Sequence, residues 1–195
     1  MKIGVLALQG AFAEHMSSLS RLGVAGVELR QRGDITPDLD GLVLPGGEST
    51  VMGKLLRELD MFDPLKTMIQ GGMPVFSTCA GLILLAARAE NQEKTYFEVM
   101  DITVRRNAYG RQLGSFSTQA EFAGIGVIPM IFIRAPYISA VGPRAQVLAV
   151  VDGHIVAARQ DAMLCTAFHP ELSSDLRVHD YFLGTVAQRA SGTAA

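Results

Sequence analysis

The feature that most constrains this chain is the junction at residues 74–89. An apolar run, 74–78, passes through Cys79 directly into 80–89, a stretch of strong helix formers, with no turn residues between them. A short apolar run of this kind reads as a buried strand. A helix that begins where the strand stops requires a tight strand-to-helix turn. The preceding sequence predicts the sheet such a turn belongs to. Residues 3–8 are a continuous apolar run closed by Gln9-Gly10, 24–29 and 42–44 read as further strands, and 14–22, 50–59 and 64–69 carry helical patterns. Strands that are apolar throughout, alternating with helices, are the pattern of a parallel sheet covered on both faces.

The second half changes character. Residues 102–104 and 130–133 read as strands. Residues 147–151 and 154–158 flank Asp152-Gly153, a hairpin signal, and a third run follows at 163–168. The expectation is a small antiparallel extension of the parallel sheet. Leu172, Leu176, Phe182, Leu183 and Val186 then recur at mostly helical spacing, and residues 190–195 read as a frayed tail. With no repeat and no linker, 195 residues are expected to form a single domain.

Composition narrows the function classes. A formal net charge of -2 supplies no general field for nucleic acid or for a membrane surface. No apolar run approaches the roughly 20 residues that span a bilayer. The N-terminal run is shorter than a secretory core segment, and two cysteines make no disulfide framework. A cytoplasmic protein is expected. Metal binding is not, because His169-Pro170-Glu171 lacks a second histidine at ligand spacing and no Cys-x-x-Cys occurs.

Three segments and a basic group can carry chemistry. Cys79 in Ser77-Thr78-Cys79-Ala80-Gly81 sits at the strand-to-helix turn, where a helix N-terminus lowers a thiol pKa and offers free N–H groups to an oxyanion. A buried core cysteine is the plainer reading. His169 ends the run 163–168 and is followed by Glu171, as a base and the carboxylate that orients it would be, or as a loop histidine beside a solvated glutamate. Pro45-Gly46-Gly47-Glu48-Ser49-Thr50 places two glycines between a strand and a helix, either as an anion-binding loop or as a turn capped by Ser49. Arg105, Arg106, Arg111 and Arg134 complete the set. Arg134 ends an apolar strand, where it could meet a substrate carboxylate.

Taken together, the Pro-Gly-Gly-Glu-Ser loop, the Thr-Cys-Ala-Gly-Leu elbow and Phe168-His169-Pro170-Glu171, in that order, resemble the triad (class I) glutamine amidotransferases. The match is closest to the glutaminase-subunit family of pyridoxal 5′-phosphate synthase. It rests on residues 3–11, 42–50, 78–86, 132–136 and 155–160, and on Arg106-Asn107 with Gly110-Arg111-Gln112. The resemblance implies a flavodoxin-like three-layer α/β sandwich and glutamine hydrolysis by Cys79 as nucleophile, His169 as base and acid, and Glu171 as its orienting partner. It further implies a glutamine site lined by Gly47, Glu48, Ser49, Arg106, Ile133 and Arg134, with oxyanion donors at Gly47 and Ala80. It implies no cofactor, and a separate synthase subunit as the recipient of ammonia for vitamin B6 biosynthesis. The alternatives are the glutaminase subunit of another pathway, such as imidazole glycerol phosphate synthase, or a partner-binding subunit without activity. The sequence departs from the family at Ser77, where glycine is usual and a side chain can crowd the turn; serine is small, so the elbow is expected to survive. Residues 90–98 and 122–129 match weakly and are expected to be surface loops.

Overall fold

The computed structural model describes residues 1–90, 94–106 and 114–192. In chain order the elements are β1 (Lys2–Leu6), α1 (Phe12–Arg21), β2 (Ala25–Leu29), β3 (Gly41–Leu44), α2 (Ser49–Glu58), α3 (Phe62–Gln70), β4 (Val75–Thr78), α4 (Ala80–Leu85), β5 (Ala86–Ala89), β6 (Met100–Arg105), β7 (Ser115–Phe122), β8 (Gly126–Ile133), β9 (Tyr137–Val141), β10 (Gln146–Val151), β11 (His154–Gln160), β12 (Met163–Thr166) and α5 (Arg177–Ala190). The main sheet runs β2-β1-β3-β4-β12-β11-β9-β6-β5, with β10 paired to β11, and β7 and β8 form a separate ribbon. From β2 to β12 every pairing is parallel. β11 is antiparallel to β12, to β10 and to β9.

The order of the first strands sets the layers. The chain steps from β1 to β2 in one direction, and from β3 to β4 in the other. Right-handed crossovers therefore place α1 on one face of the sheet and the α2–α3 pair on the other. α5 joins α1 on its face: Phe76 of β4 meets His15 of α1 and both His179 and Phe182 of α5, with ring centroids 5.6, 5.3 and 5.6 Å apart. The order reverses between β1 and β3. In open α/β sheets that reversal opens a crevice at the strand carboxyl ends, where ligands bind. The loops that leave β1, β3, β4 and β12 all reach this end.

Several expectations needed correction. The helix expected over 80–89 stops at Leu85, and residues 86–89 turn into β5, which pairs in parallel with β6. All six residues of α4 are buried. The Leu84 and Leu85 carbonyls accept from Phe97 N and Val99 N instead of continuing the helix. Tertiary hydrogen bonding has overridden the helix propensity of this stretch. The segment 90–98 is not wholly a surface loop, because Tyr96 and Phe97 are buried in the core; residues 91–93 lie outside the described residues. The segment 122–129 is the turn and outgoing strand of the β7–β8 ribbon, with Pro129 opposite Gln119. β7 and β9 were not anticipated. Their alternating or partly polar faces, such as Ser115 to Phe122 in β7, give a weak apolar signal. Ala190 closes α5 rather than belonging to a frayed tail, and residues 193–195 lie outside the described residues.

The junction at Cys79 depends on one close approach. A Cβ built on Gly81 would stand 2.1 Å from the Leu44 carbonyl oxygen of β3, a backbone atom that cannot swing aside. Gly81→Ala is therefore expected to lower stability by roughly 1–3 kcal/mol, as overpacking does. Thermal unfolding of the purified variant measures it; an unchanged midpoint would contradict the tight packing of α4 on β3.

Candidate active site

Register brings the chemistry together. In the parallel sheet Leu44 lies opposite Ser77, and Thr78 opposite Thr166. Residues just past these ends therefore converge: Gly46 from β3, Cys79 from β4 and His169 from β12. Backbone hydrogen bonds hold the three loops. Cys79 N donates to Thr166 O at 2.8 Å, His169 N to Ile131 O at 2.8 Å, and Gly46 N to Thr78 Oγ1 at 2.9 Å. Gly46 is obligatory for space, since a Cβ there would stand 2.4 Å from His169 Cε1 and 3.3 Å from Cys79 Cβ.

Cys79 occupies φ +49°, ψ −101°, a positive φ that few residues carrying a Cβ adopt. Such strain persists only where the surroundings impose it, and it is typical of a functional turn. Here it ends β4 and starts α4 in a single residue, leaving Cys79 only 8% exposed at the cavity wall. The departure at Ser77 is accommodated within the sheet. Ser77 is fully buried, and its hydroxyl donates to the Leu164 carbonyl of β12 at 3.4 Å rather than crowding the turn. Cys165, in β12, is fully buried, and burial pushes its thiol up to about 12.

His169 Nδ1 lies 2.7 Å from Glu171 Oε1. Burial alone would lower the His169 pKa, but hydrogen bonds to Cys79 and Glu171 and the charge of Glu171 raise it to about 10. Glu171 is 6% exposed. Burial would raise its carboxyl, yet the neighbouring His15 and His169 hold it below the ordinary carboxylate range. The geometry is that of a nucleophile, a base and an orienting carboxylate in line.

These groups open on a cavity of about 400 Å³. Cys79, Ala80 and His169 form part of its wall, and the expected substrate residues Gly47, Glu48, Ser49, Arg106, Ile133 and Arg134 line the rest. Glu171 stands behind His169 and is not part of the lining. Ser49 Oγ is buried and without a hydrogen-bond partner. Arg134 is exposed and held at φ +42°, with its N–H donating to Gly114 O at 2.7 Å. The capping expectation for Ser49 is corrected: Glu48 is the cap of α2, its carboxylate accepting from Thr50 N and Val51 N, and Ser49 is the first helical residue. Glu48 also pairs with Arg106 at 2.9 Å. Arg105 sits apart from the cavity lining, with a guanidinium nitrogen 3.4 Å from the Tyr137 hydroxyl. Asn107, Gly110, Arg111 and Gln112 lie outside the described residues. Sequence reasoning missed Gln9, whose Oε1 accepts from Glu48 N, and the buried histidines His15 and His179 behind Glu171.

No group of three or more histidine, cysteine or acidic side chains suited to a metal ion occurs among the described residues. No helix among them is long and apolar enough to cross a membrane.

The model of the SNO glutamine amidotransferase family matches residues 5–188. The chain belongs to that family. It is 58% identical over 186 residues to "Pyridoxal 5'-phosphate synthase subunit PdxT" of Haemophilus influenzae (strain PittGG), covering 94% of this chain and 97% of that protein. It is 55% identical over 193 residues to the protein of the same name from Streptococcus pneumoniae serotype 2, covering 97% and 100%. A solved structure described as that of a glutamine amidotransferase superposes with a TM-score of 0.90 at 41% identity, over 95% of this chain and 98% of that one. The expected fold, a mainly parallel sheet between helices with a small antiparallel part, is thus the fold of this amidotransferase.

Two predictions follow from the burial of these groups. A glutamine-like electrophile should label Cys79 and leave Cys165 untouched, as read by peptide mass spectrometry; labelling of Cys165 alone would contradict the assignment. Stability should also depend on acid in a definite direction. Burial lowers the pKa of His15, and that of His179 to about 3, so both stay neutral in the fold while the unfolded chain takes up protons below 6.5. Their contribution is present above 6.5 and is lost as pH falls toward 3, at no more than about 1.4 kcal/mol per pH unit for each histidine. Glu171 acts in the same direction below the ordinary glutamate value of 4.5. His169 acts oppositely: its contribution is complete below 6.5 and is lost as pH rises through about 10. Unfolding midpoints should therefore peak near neutrality, and His179→Phe should flatten the acid side.

Proposed function

We propose that this glutamine amidotransferase hydrolyses L-glutamine through a triad of Cys79, His169 and Glu171 and supplies the ammonia to a partner synthase subunit that makes pyridoxal 5′-phosphate. The observation that carries the triad is the strained Cys79 on the wall of a cavity it shares with His169, with Glu171 2.7 Å behind the imidazole. The names of the relatives support the pathway, and neither points to imidazole glycerol phosphate synthase.

The chemistry runs in two halves. With its proton held by His169, Cys79 Sγ attacks the side-chain amide carbon of glutamine, forming a C–S bond. The carbonyl oxygen becomes an oxyanion, held by the N–H groups of Gly47 and Ala80. The Gly46 carbonyl accepts from Ala11 N at 3.1 Å, so the N–H of the same peptide, on Gly47, points the other way. That orientation supports a donor role for Gly47. As the C–N bond breaks, His169 passes its proton to the leaving nitrogen and ammonia departs. His169 then takes a proton from water, which attacks the γ-glutamyl thioester. The C–S bond breaks, the thiol is restored and glutamate is released. Glu171 keeps the imidazole aligned and its cation stabilised throughout. Arg134 receives the substrate α-carboxylate at the cavity mouth, with Glu48, Ser49, Arg106 and Ile133 shaping the rest of the pocket. No cofactor enters this scheme. The whole chain works as one glutaminase domain, in the cytoplasm, as one component of a hetero-oligomer.

The test is ammonia release by the chain assayed with its synthase partner. Cys79→Ala should abolish release, whereas Cys165→Ala should keep most of it. His169→Ala should lose at least about 1,000-fold, and combining it with Cys79→Ala should add little, because groups that act as a unit are not additive. Glu171→Gln should be milder than His169→Ala. Near-normal turnover in His169→Ala would refute the triad.

A further inference from the structure

Behind the catalytic pair the buried polar groups continue in a line. Glu171 Oε1 is occupied by His169, but Oε2 is buried and has no hydrogen-bond partner. It faces His15 Nε2 of α1 at 3.5 Å. The same nitrogen lies 3.2 Å from Thr78 Oγ1, the atom that accepts from Gly46 N. On the other side of the ring, His15 Nδ1 lies 3.0 Å from His179 Nε2 of α5. His179 Nδ1 is buried and has no partner. Both imidazoles are fully buried, each edge-on to Phe76.

We propose that His15 is a positioning residue of the triad, a neutral imidazole whose Nε2–H lies between Thr78 Oγ1 and Glu171 Oε2 and, by its attraction to Oε2, steadies the carboxylate that orients His169. This rests on the triad reading given above. Two observations select the tautomer independently. A bare Nε2 would set its lone pair against those of an ionised carboxylate oxygen, whereas Nε2–H is attracted to Oε2 and to Thr78 Oγ1 together. At the far end, Nε2–H on His15 leaves Nδ1 to accept from His179 Nε2–H, so the orphan His179 Nδ1 is a bare acceptor. The opposite arrangement would leave there a buried N–H with no acceptor, the rarer defect. Protons therefore point toward Glu171 from both sides, from His179 to His15 and on toward Glu171, and from His169 to Glu171. The hydroxyl of Thr78 ties the same histidine to the Gly46 loop, whose Cα packs on His169. Helix α1 thereby reaches both the acid of the triad and the loop carrying Gly47, although none of its residues lines the cavity.

The groups that act on His15 are Glu171 and His169 from the site, Glu14 on its own helix, and His179 from α5, itself influenced by Arg21. Burial and the His169 cation oppose a charge on His15, and Glu171 and Glu14 favour it; burial prevails and the pKa is lowered.

The experiment compares His15→Leu, which fills the space without a donor, with His15→Gln, whose amide N–H can occupy the place of Nε2–H. Both are assayed with the synthase partner beside Glu171→Gln. Turnover is normalised to the fraction of Cys79 labelled by a glutamine-like electrophile, which removes any loss from misfolding. The expected result for His15→Leu is a kcat lower by roughly 10- to 100-fold with KM little changed. The His169 ionisation in the pH profile of kcat/KM should also move down, because a carboxylate free to turn away pairs less well with the imidazolium. His15→Gln should recover most of both. Wild-type kcat and pH profile in His15→Leu beside a crippled Glu171→Gln, or a glutamine variant no better than the leucine variant, would overturn the assignment while leaving the triad intact. Full turnover in Glu171→Gln would overturn the triad and this assignment with it. Should His15→Leu fail to fold, NMR of the histidine ring nitrogens in the wild-type chain decides: a neutral Nε2–H tautomer of His15 at neutral pH upholds the proposal, and an imidazolium or an Nδ1–H tautomer overturns it.

Discussion

Everything at the active site depends on the parallel pairing of β3, β4 and β12. Leu44, Ser77 and Thr78, and Cys165 and Thr166 are held in register, so the chain leaves three adjacent strands at the same level. Each strand then delivers its own chemical part: Gly46 and Gly47 from β3, Cys79 from β4, His169 and Glu171 from β12. A slip of a parallel pairing by one residue would reverse which side chains face the helices. It would also move His169 along the strand by about 3.3 Å, more than enough to break a hydrogen bond to Cys79. The large apolar side chains of this region, Phe76, Phe168, Phe182 and Leu44 among them, are all buried, so register and core packing enforce one another.

The same packing carries an unusual polar cargo. His15, Thr78, His169, Glu171 and His179 are buried, within an otherwise hydrophobic region between the sheet and the α1–α5 layer. Buried polar groups are tolerated when they satisfy one another, and here most do so, His179 with His15, His15 with Thr78 and His169 with Glu171, leaving Glu171 Oε2 and His179 Nδ1 without a hydrogen bond. The electrostatic consequence is a division among the histidines. Those deep in the layer, His15 and His179, are kept neutral by burial, while His169, at the cavity wall between a carboxylate and a thiol, is drawn toward its cation. One residue type is thus held neutral at two positions and drawn toward its cation at a third, and the environment alone separates the two states.

Legibility in the sequence followed the strength of local signals. The strands β1, β2, β3, β4 and β12 and the helices α1, α2 and α3 are anticipated within two residues at either end, because buried parallel strands are apolar throughout and surface helices keep an amphipathic period. The early end of α4 was not legible, since Leu85 and Ala86 are as compatible with helix as with strand and the backbone partners that end the helix, Phe97 and Val99, come from a distant loop. β7 was hidden by its polar alternation. Its apolar positions, such as Phe116 stacked on Phe132, matter only against β8. At the site, Cys79, the Gly46-Gly47 loop and His169-Pro170-Glu171 stood out as residue types at strand ends, and resemblance to a family joined them. His15 gave no such signal, because a histidine on an amphipathic helix looks the same whether it faces water or a carboxylate.

The sequence by itself determined the class of fold and singled out the candidate reactive groups: alternating apolar runs and helices require a covered parallel sheet, and a cysteine set directly between strand and helix marks a tight turn. Those are properties of adjacent residues, set by backbone sterics and the period of side chains along each element. Tertiary structure alone decided which groups meet and in what ionisation state. Only the alignment of strands 32 or more residues apart puts Thr78 on Gly46, and only the docking of α1 and α5 over Phe76 brings His15 to Glu171 across a separation of more than 150 residues. Burial, charge and hydrogen bonding depend on distance through space, so no pattern along the chain can express them.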